Sequence, residues 1–209
     1  MLIICYNISM KVSEYTQTLT NMLSSNDGVI TTSAALQASV PKSTFYRFVD
    51  SNGLEKQSHG VYVSKDAFPD EFALLQMRFP KAIFSHDAAL YLHDMSEREP
   101  IPLSVTVPSN YNASAVKDQG LRVFYVKPQW YDLGICKVTT PEGNKVLAYD
   151  KERTICDMVR RRSSVDVAEF SYALKMYATS KTKNLPRLSD YARTMNIESR
   201  IWDVLGILL

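Results

Sequence analysis

The sequence predicts an α+β protein in two parts. A small helical domain closed by a β-hairpin spans residues 10–66, and a mixed α/β domain ending in helices spans 67–209. Three observations carry this. Helical stripes precede a glycine-centred pair of extended runs within residues 10–66, alternating runs occupy the middle of the chain, and from Asp150 onward the apolar spacing is helical.

The 209 residues are 45% hydrophobic and 22% charged, an ordinary globular composition that excludes a disordered tail. No run approaches the roughly 18 apolar residues of a membrane span. Three cysteines, Cys5, Cys136 and Cys156, are odd in number and form no CxxC. This argues against a disulfide framework and a structural zinc site and suits a reducing cytoplasm. The opening MLIICYNIS lacks a basic n-region and a cleavage site, so it is no secretory signal. Met10 reads as an internal start, with residues 1–9 a loosely held extension.

A first helix is expected from about Ser13 to Ser25, with Tyr15, Leu19, Met22 and Leu23 on one stripe. Asn26-Asp27-Gly28 breaks it, and Val29-Ile30 is extended. Thr31-Thr32-Ser33 offers caps for a second helix, Ala34 to Ala38, with Leu36 inward. Pro41 opens a third, Lys42 to about Ser51, and Asn52-Gly53 ends it, glycine being free to take the left-handed cap. In the third helix Phe45, Phe48 and Val49 face a core, and Lys42, Ser43, Thr44, Tyr46 and Arg47 fall mainly on the other side. Runs either side of His59-Gly60 then make a hairpin. Two short helices joined by a tight turn, followed by a hairpin, are the plan of a winged helix-turn-helix. In that plan the third helix would meet base edges and phosphates, and Lys56, Gln57 and His59 could join from the wing.

Pro69-Asp70-Glu71 opens the next helix, with Phe72, Leu75 and Phe79 apolar and Pro80 as its stop. Ala82 to Phe84 is extended, and Ser85 caps the helix HDAALYLHDM. Leu103 to Val107 and Leu121 to Val126 are strands, and Val138 to Thr140 with Lys145 to Ala148 forms a hairpin about Glu142-Gly143-Asn144. The terminal helices are expected at Thr154 to Arg162, Val165 to Thr179, Leu188 to Met195 and Ser199 to Leu208.

Charge is unevenly spread. Residues 1–66 hold five basic and five acidic groups, residues 67–150 eight and ten, and residues 151–209 eleven and seven. The formal total is +2, so the last quarter is the basic part, led by Arg160, Arg161 and Arg162. These three are either solvated residues at a helix end or a phosphate-contacting patch on which two of them share a face. His86 and His93, two helical turns apart, lack converging donors for a metal. Cys136 and Cys156 have no adjacent histidine, and neither a glycine-rich phosphate loop nor GxSxG occurs. Glu142 with Asp150 and Lys145 invites a metal-nuclease reading, but a hairpin turn explains it more simply. No catalytic residue, metal or cofactor is expected.

The segments PKSTFYRFVDSNGLEKQSHGVYVS, SHDAALYLHDM, YDKERTICDMVRRR and NLPRLSDYARTMNIESRIWDVL, in this order, resemble the type IV antitoxin family of the AbiE abortive-infection system (AbiEi family) from Met10 onward. The resemblance implies a bacterial phage-defence toxin–antitoxin operon. It implies an N-terminal domain that represses its own promoter at inverted repeats in double-stranded DNA. It also implies a C-terminal domain that neutralises a nucleotidyltransferase toxin without a stable complex. The protein is then expected to be cytoplasmic, a monomer when free and a cooperative pair on DNA. Two rivals stay open: a ligand-responsive winged-helix transcription factor with a pocket in its second domain, and a degenerate nuclease-like enzyme using Glu142 and Asp150.

Overall fold

The computed structural model describes residues 2–67 and 70–206, with side chains in the first helix from residue 11 onward. The protein is α+β and separates into two compact units, Met1–Arg78 and Phe79–Leu209.

The first unit runs α1 (Leu2–Ser25), β1 (Val29–Thr31), α2 (Thr32–Gln37), α3 (Lys42–Ser51), β2 (Glu55–Ser58), β3 (Val61–Val63) and α4 (Glu71–Arg78). The backbone of α1 is helical from Leu2, so residues 2–9 are no separate extension and the start expected near Ser13 is too late. The physical reason is that the segment 2–12 holds neither glycine nor proline to stop a helix. Leu19 is fully buried, with Tyr15, Met22 and Leu23 packed around the same core.

Three antiparallel strands form a sheet in the order β1-β3-β2. Because side chains alternate along a strand, β3 serves two cores. Tyr62 joins Leu19, Ile30, Phe45, Phe48 and Val49 on one side. Val61 and Val63 join Val29 on the other, covered by Leu74 and Met77 of α4. This cover places α4 with the first unit, so the chain divides after residue 78 rather than after 66. In α2 the Ala34 N–H donates to the Thr31 side chain at 3.1 Å. Ala35 is the residue buried from this helix, whereas Leu36, expected inward, is 43% exposed.

The second unit opens with β4 (Ile83–Phe84), α5 (His86–Leu92), β5 (Ser104–Pro108), α6 (Ser114–Lys117), β6 (Arg122–Val126) and α7 (Pro128–Tyr131). It continues with β7 (Ile135–Thr139), β8 (Lys145–Tyr149) and α8 (Lys151–Arg160), then a 3-10 turn at Arg162–Ser164. Helices α9 (Val167–Thr179), α10 (Leu185–Thr194) and α11 (Glu198–Leu205) follow. The five-stranded sheet has the order β6-β5-β4-β8-β7, with β5–β6 and β4–β8 parallel and the other pairs antiparallel. The main core gathers Leu90 of α5, Ile155 and Met158 of α8, Leu174 and Tyr177 of α9, and Leu188 and Ile201.

Two helices begin three residues earlier than expected because polar caps precede their apolar stripes. Asp150 accepts from the Arg153 N–H at 2.8 Å, and Asn184 accepts from the Arg187 N–H at 3.0 Å. Pro69 and Leu208, expected helix ends, lie outside the described residues. No described helix is long and apolar enough to cross a membrane.

Candidate nucleic-acid interface

Helix α3 is two-faced. Thr44, Phe45, Phe48 and Val49 are buried, and Lys42, Ser43, Tyr46 and Arg47 are exposed. Thr44 therefore drops out of the expected DNA-facing set: with 8% exposure it belongs to the packing face. The buried residues fall as two adjacent pairs, 44–45 and 48–49, one helical turn apart, so the core-facing stripe is a residue wider than the phenylalanines alone suggest. Between Lys42 and Val49 there is no acid. Among the described residues, no ion pair involves Lys42, Arg47 or Lys56. Pro41 precedes the helix without a side-chain cap, so the first-turn N–H groups add to a positive helix end.

The hairpin is tied to this helix by aromatic edges. Phe45 meets Tyr62 at 5.4 Å and Tyr46 meets Tyr62 at 6.3 Å, both near perpendicular. Tyr46 is thus exposed yet also positions α3 against β3. Lys56, Gln57 and His59 are all exposed on the hairpin. The strand register shifts between Lys56 and Ser58, a bulge that takes Gln57 out of the ladder.

In the second unit the arginine run divides. Arg160 ends α8 over the Trp130 ring at 5.4 Å, and Arg162, in the 3-10 turn, lies over Phe170 at 5.6 Å. Both line a cleft of about 460 Å3 together with Arg200 of α11. Arg161 instead lies over Phe124 at 4.8 Å and lines a second cleft. Consecutive residues diverge here because the helix ends at Arg160. No sequence pattern points to Arg200, because it stands 38 residues beyond Arg162 and only the fold joins them.

The remaining candidates have structural partners. The His93 Nε2–H donates to the Tyr149 carbonyl at 2.7 Å, and burial lowers the pKa of this ring. His86 is buried and stacked on Phe124 at 3.6 Å; burial, reinforced by Arg161, Arg160 and Arg153 against the pull of Asp157, lowers its pKa to about 4. Burial pushes the Cys136 thiol up to about 11 and raises that of Cys156 further, so neither resembles an activated nucleophile. The side chain of Cys5 lies outside the described residues. Glu142 sits exposed in the β7–β8 turn, and Asp150 follows the far end of β8, where it accepts from the Arg153 N–H and from the Tyr191 hydroxyl at 3.0 Å. The strand keeps these two carboxylates apart. Among the described residues, no cluster of three or more His, Cys, Asp or Glu could hold a metal.

No protein-family model matches the chain, and no curated protein matches it. Among solved structures, it is similar to the RV2827C protein from Mycobacterium tuberculosis at 11% identity, over 90% of this chain and 79% of that one, with a TM-score of 0.51. At that identity the likeness concerns the fold alone.

Proposed function

We propose that the first unit is a winged helix-turn-helix that binds double-stranded DNA, with α2 and α3 as the helix pair and β2–β3 as the wing. The single observation behind this is the exposed face of Lys42, Ser43, Tyr46 and Arg47, whose two cations make no ion pair among the described residues, with Lys56, Gln57 and His59 exposed on the hairpin packed beside it. Cations left without carboxylate partners on a helix that opens with free N–H groups suit a phosphate backbone.

The chain then acts as an AbiE-type antitoxin and autorepressor in the bacterial cytoplasm. It represses at inverted repeats in its own promoter and antagonises a nucleotidyltransferase toxin without a stable complex. It acts as no enzyme. Arg160 and Arg162, joined by Arg200 in place of Arg161, supply a further phosphate-contacting patch. The test is binding of the full chain to a duplex from its own promoter against a scrambled duplex of equal composition. Binding tighter by about 10³-fold or more supports operator recognition, and equal binding to both contradicts it. Co-expression with a nucleotidyltransferase toxin, should its reading frame lie beside this one, tests the second half: the full chain rescues growth, and Met1–Arg78 alone does not.

A second reading, a ligand-responsive regulator, is favoured by one observation, the cleft of about 760 Å3 in the second unit.

A further inference from the structure

That cleft falls within the roughly 300–1,000 Å3 of small-molecule sites. Its walls come from the start of α5, the loop at residues 96–102, β6, and the 3-10 turn with the start of α9. Five carboxylates line it: Asp87, Glu97, Glu99, Asp166 and Glu169. Three guanidiniums oppose them: Arg98, Arg122 and Arg161. Arg122 is already matched with Asp87 at 2.7 Å, and Arg161 rests on the Phe124 ring. Acid is therefore in excess, the reverse of the Arg160–Arg162–Arg200 cleft in the same unit. The acids crowd one another: burial, then Asp87 and Asp166, hold the Glu169 carboxyl above its ordinary range. A bound cation would relieve that repulsion.

A second observation is independent of the acids. His86 lines the cleft, is 3% exposed, and its Nε2 has no hydrogen-bond partner among the described residues. One tautomer satisfies the hydrogen bonds around it best. Thr106 Oγ1 donates to Ser85 Oγ at 2.8 Å, and the Ser85 proton has His86 Nδ1, at 3.0 Å, as its acceptor. With Nδ1 assigned as the acceptor of the Ser85 proton, the ring proton is assigned to Nε2. A buried N–H without an acceptor is uncommon in a finished core and marks a place for a ligand atom. Phe124 and Tyr172 give the same cleft aromatic surface.

We propose that this cleft binds a small organic amine that also carries a neutral hydrogen-bond acceptor. Glu97, Glu99, Asp166 and Glu169 hold the ammonium group, His86 Nε2–H donates to the acceptor, and Tyr172 with the edge of Phe124 covers the apolar body. Anions are excluded by the excess of carboxylates. This inference stands whether or not the first unit binds DNA.

The test uses the full chain with lysinamide and glycinamide as probes, and glutarate and acetamide as anionic and neutral controls, followed by calorimetry and thermal unfolding. The amines bind saturably and raise the melting temperature, and the controls do neither. Glu169→Gln weakens the amines by about tenfold or more. Glu97→Gln, at an exposed position that leaves the fold intact, weakens them in the same direction. No saturable binding up to about 10 mM overturns the proposal. So does binding that survives unchanged in both variants, or glutarate binding as well as the amines.

Discussion

Helices α3 and α8 are both ten residues long and both begin with lysine, yet they use their charges in opposite ways. α3 buries four residues and shows its cations. α8 buries eight of its ten, Glu152, Arg153 and Asp157 among them. Arg153 donates to Asp157 at 3.0 Å and to the Trp130 and Leu133 carbonyls, and lies over the Tyr149 ring at 4.2 Å. Glu152 accepts from the Tyr177 hydroxyl at 3.2 Å and the Asn184 N–H at 2.8 Å. α8 thereby ties α7, β8, α9 and the start of α10 into one unit. A count of charges along a chain therefore says little about which of them face a partner. The basic last quarter contributes Arg160, Arg162 and Arg200 to an open cleft, whereas Arg153 is consumed inside.

The sharpest way to break this contrast is to truncate the buried arginine. Arg153→Ala leaves Asp157 charged and alone in the core and should cost about 3–5 kcal/mol, read as a lower urea midpoint. Arg47→Ala, at an exposed position, should change stability by no more than about 0.5 kcal/mol.

Next in size is a pH effect. The folded pKa of His86, about 4, lies below its unfolded value, so the unfolded state takes up the proton first as pH falls. Stability from this group is complete above about pH 6.5 and is lost progressively down to about pH 4, by about 3 kcal/mol in total. The raised carboxyls of Asp87, Asp150 and Glu169 act in the opposite direction at the acid end. Unfolding free energies across that range should fall more steeply in the parent chain than in His86→Gln.

Gly134→Ala should cost about 1–3 kcal/mol. Gly134 has φ +81, and an added Cβ would lie 2.7 Å from the Arg153 Cβ and 3.1 Å from an Asp150 oxygen. A lowered melting temperature with an unchanged DNA affinity is the expected outcome. A smaller effect of the same kind is expected from Thr44→Ser, which removes a buried methyl for about 1 kcal/mol and leaves DNA affinity unchanged.

The order of elements is legible in the sequence because apolar stripes and turn residues mark it. The span of α3, Lys42–Ser51, is set by Pro41 before it and Asn52-Gly53 after it. What escapes has physical causes. In α2, six residues are too few to set the phase of a stripe, so the pattern points Leu36 inward and hides Ala35. Polarity assigns Thr44 to a face that geometry denies it. The Arg200 partnership and the acidic cleft depend on residues far apart in the chain, and no local pattern announces them. The face of Lys42, Ser43, Tyr46 and Arg47 is legible because it is local to one helix.

The proposed role of the first unit turns on whether this face meets phosphate. The direct measurement is the affinity of the full chain for a duplex from its own promoter at several salt concentrations, for the parent chain, Lys42→Ala and Arg47→Ala. Binding should be weaker in both variants, and the slope of log affinity against log salt should shrink by about one for each phosphate that the removed side chain neutralised. An unchanged affinity and slope in both variants, each still folded, would contradict it.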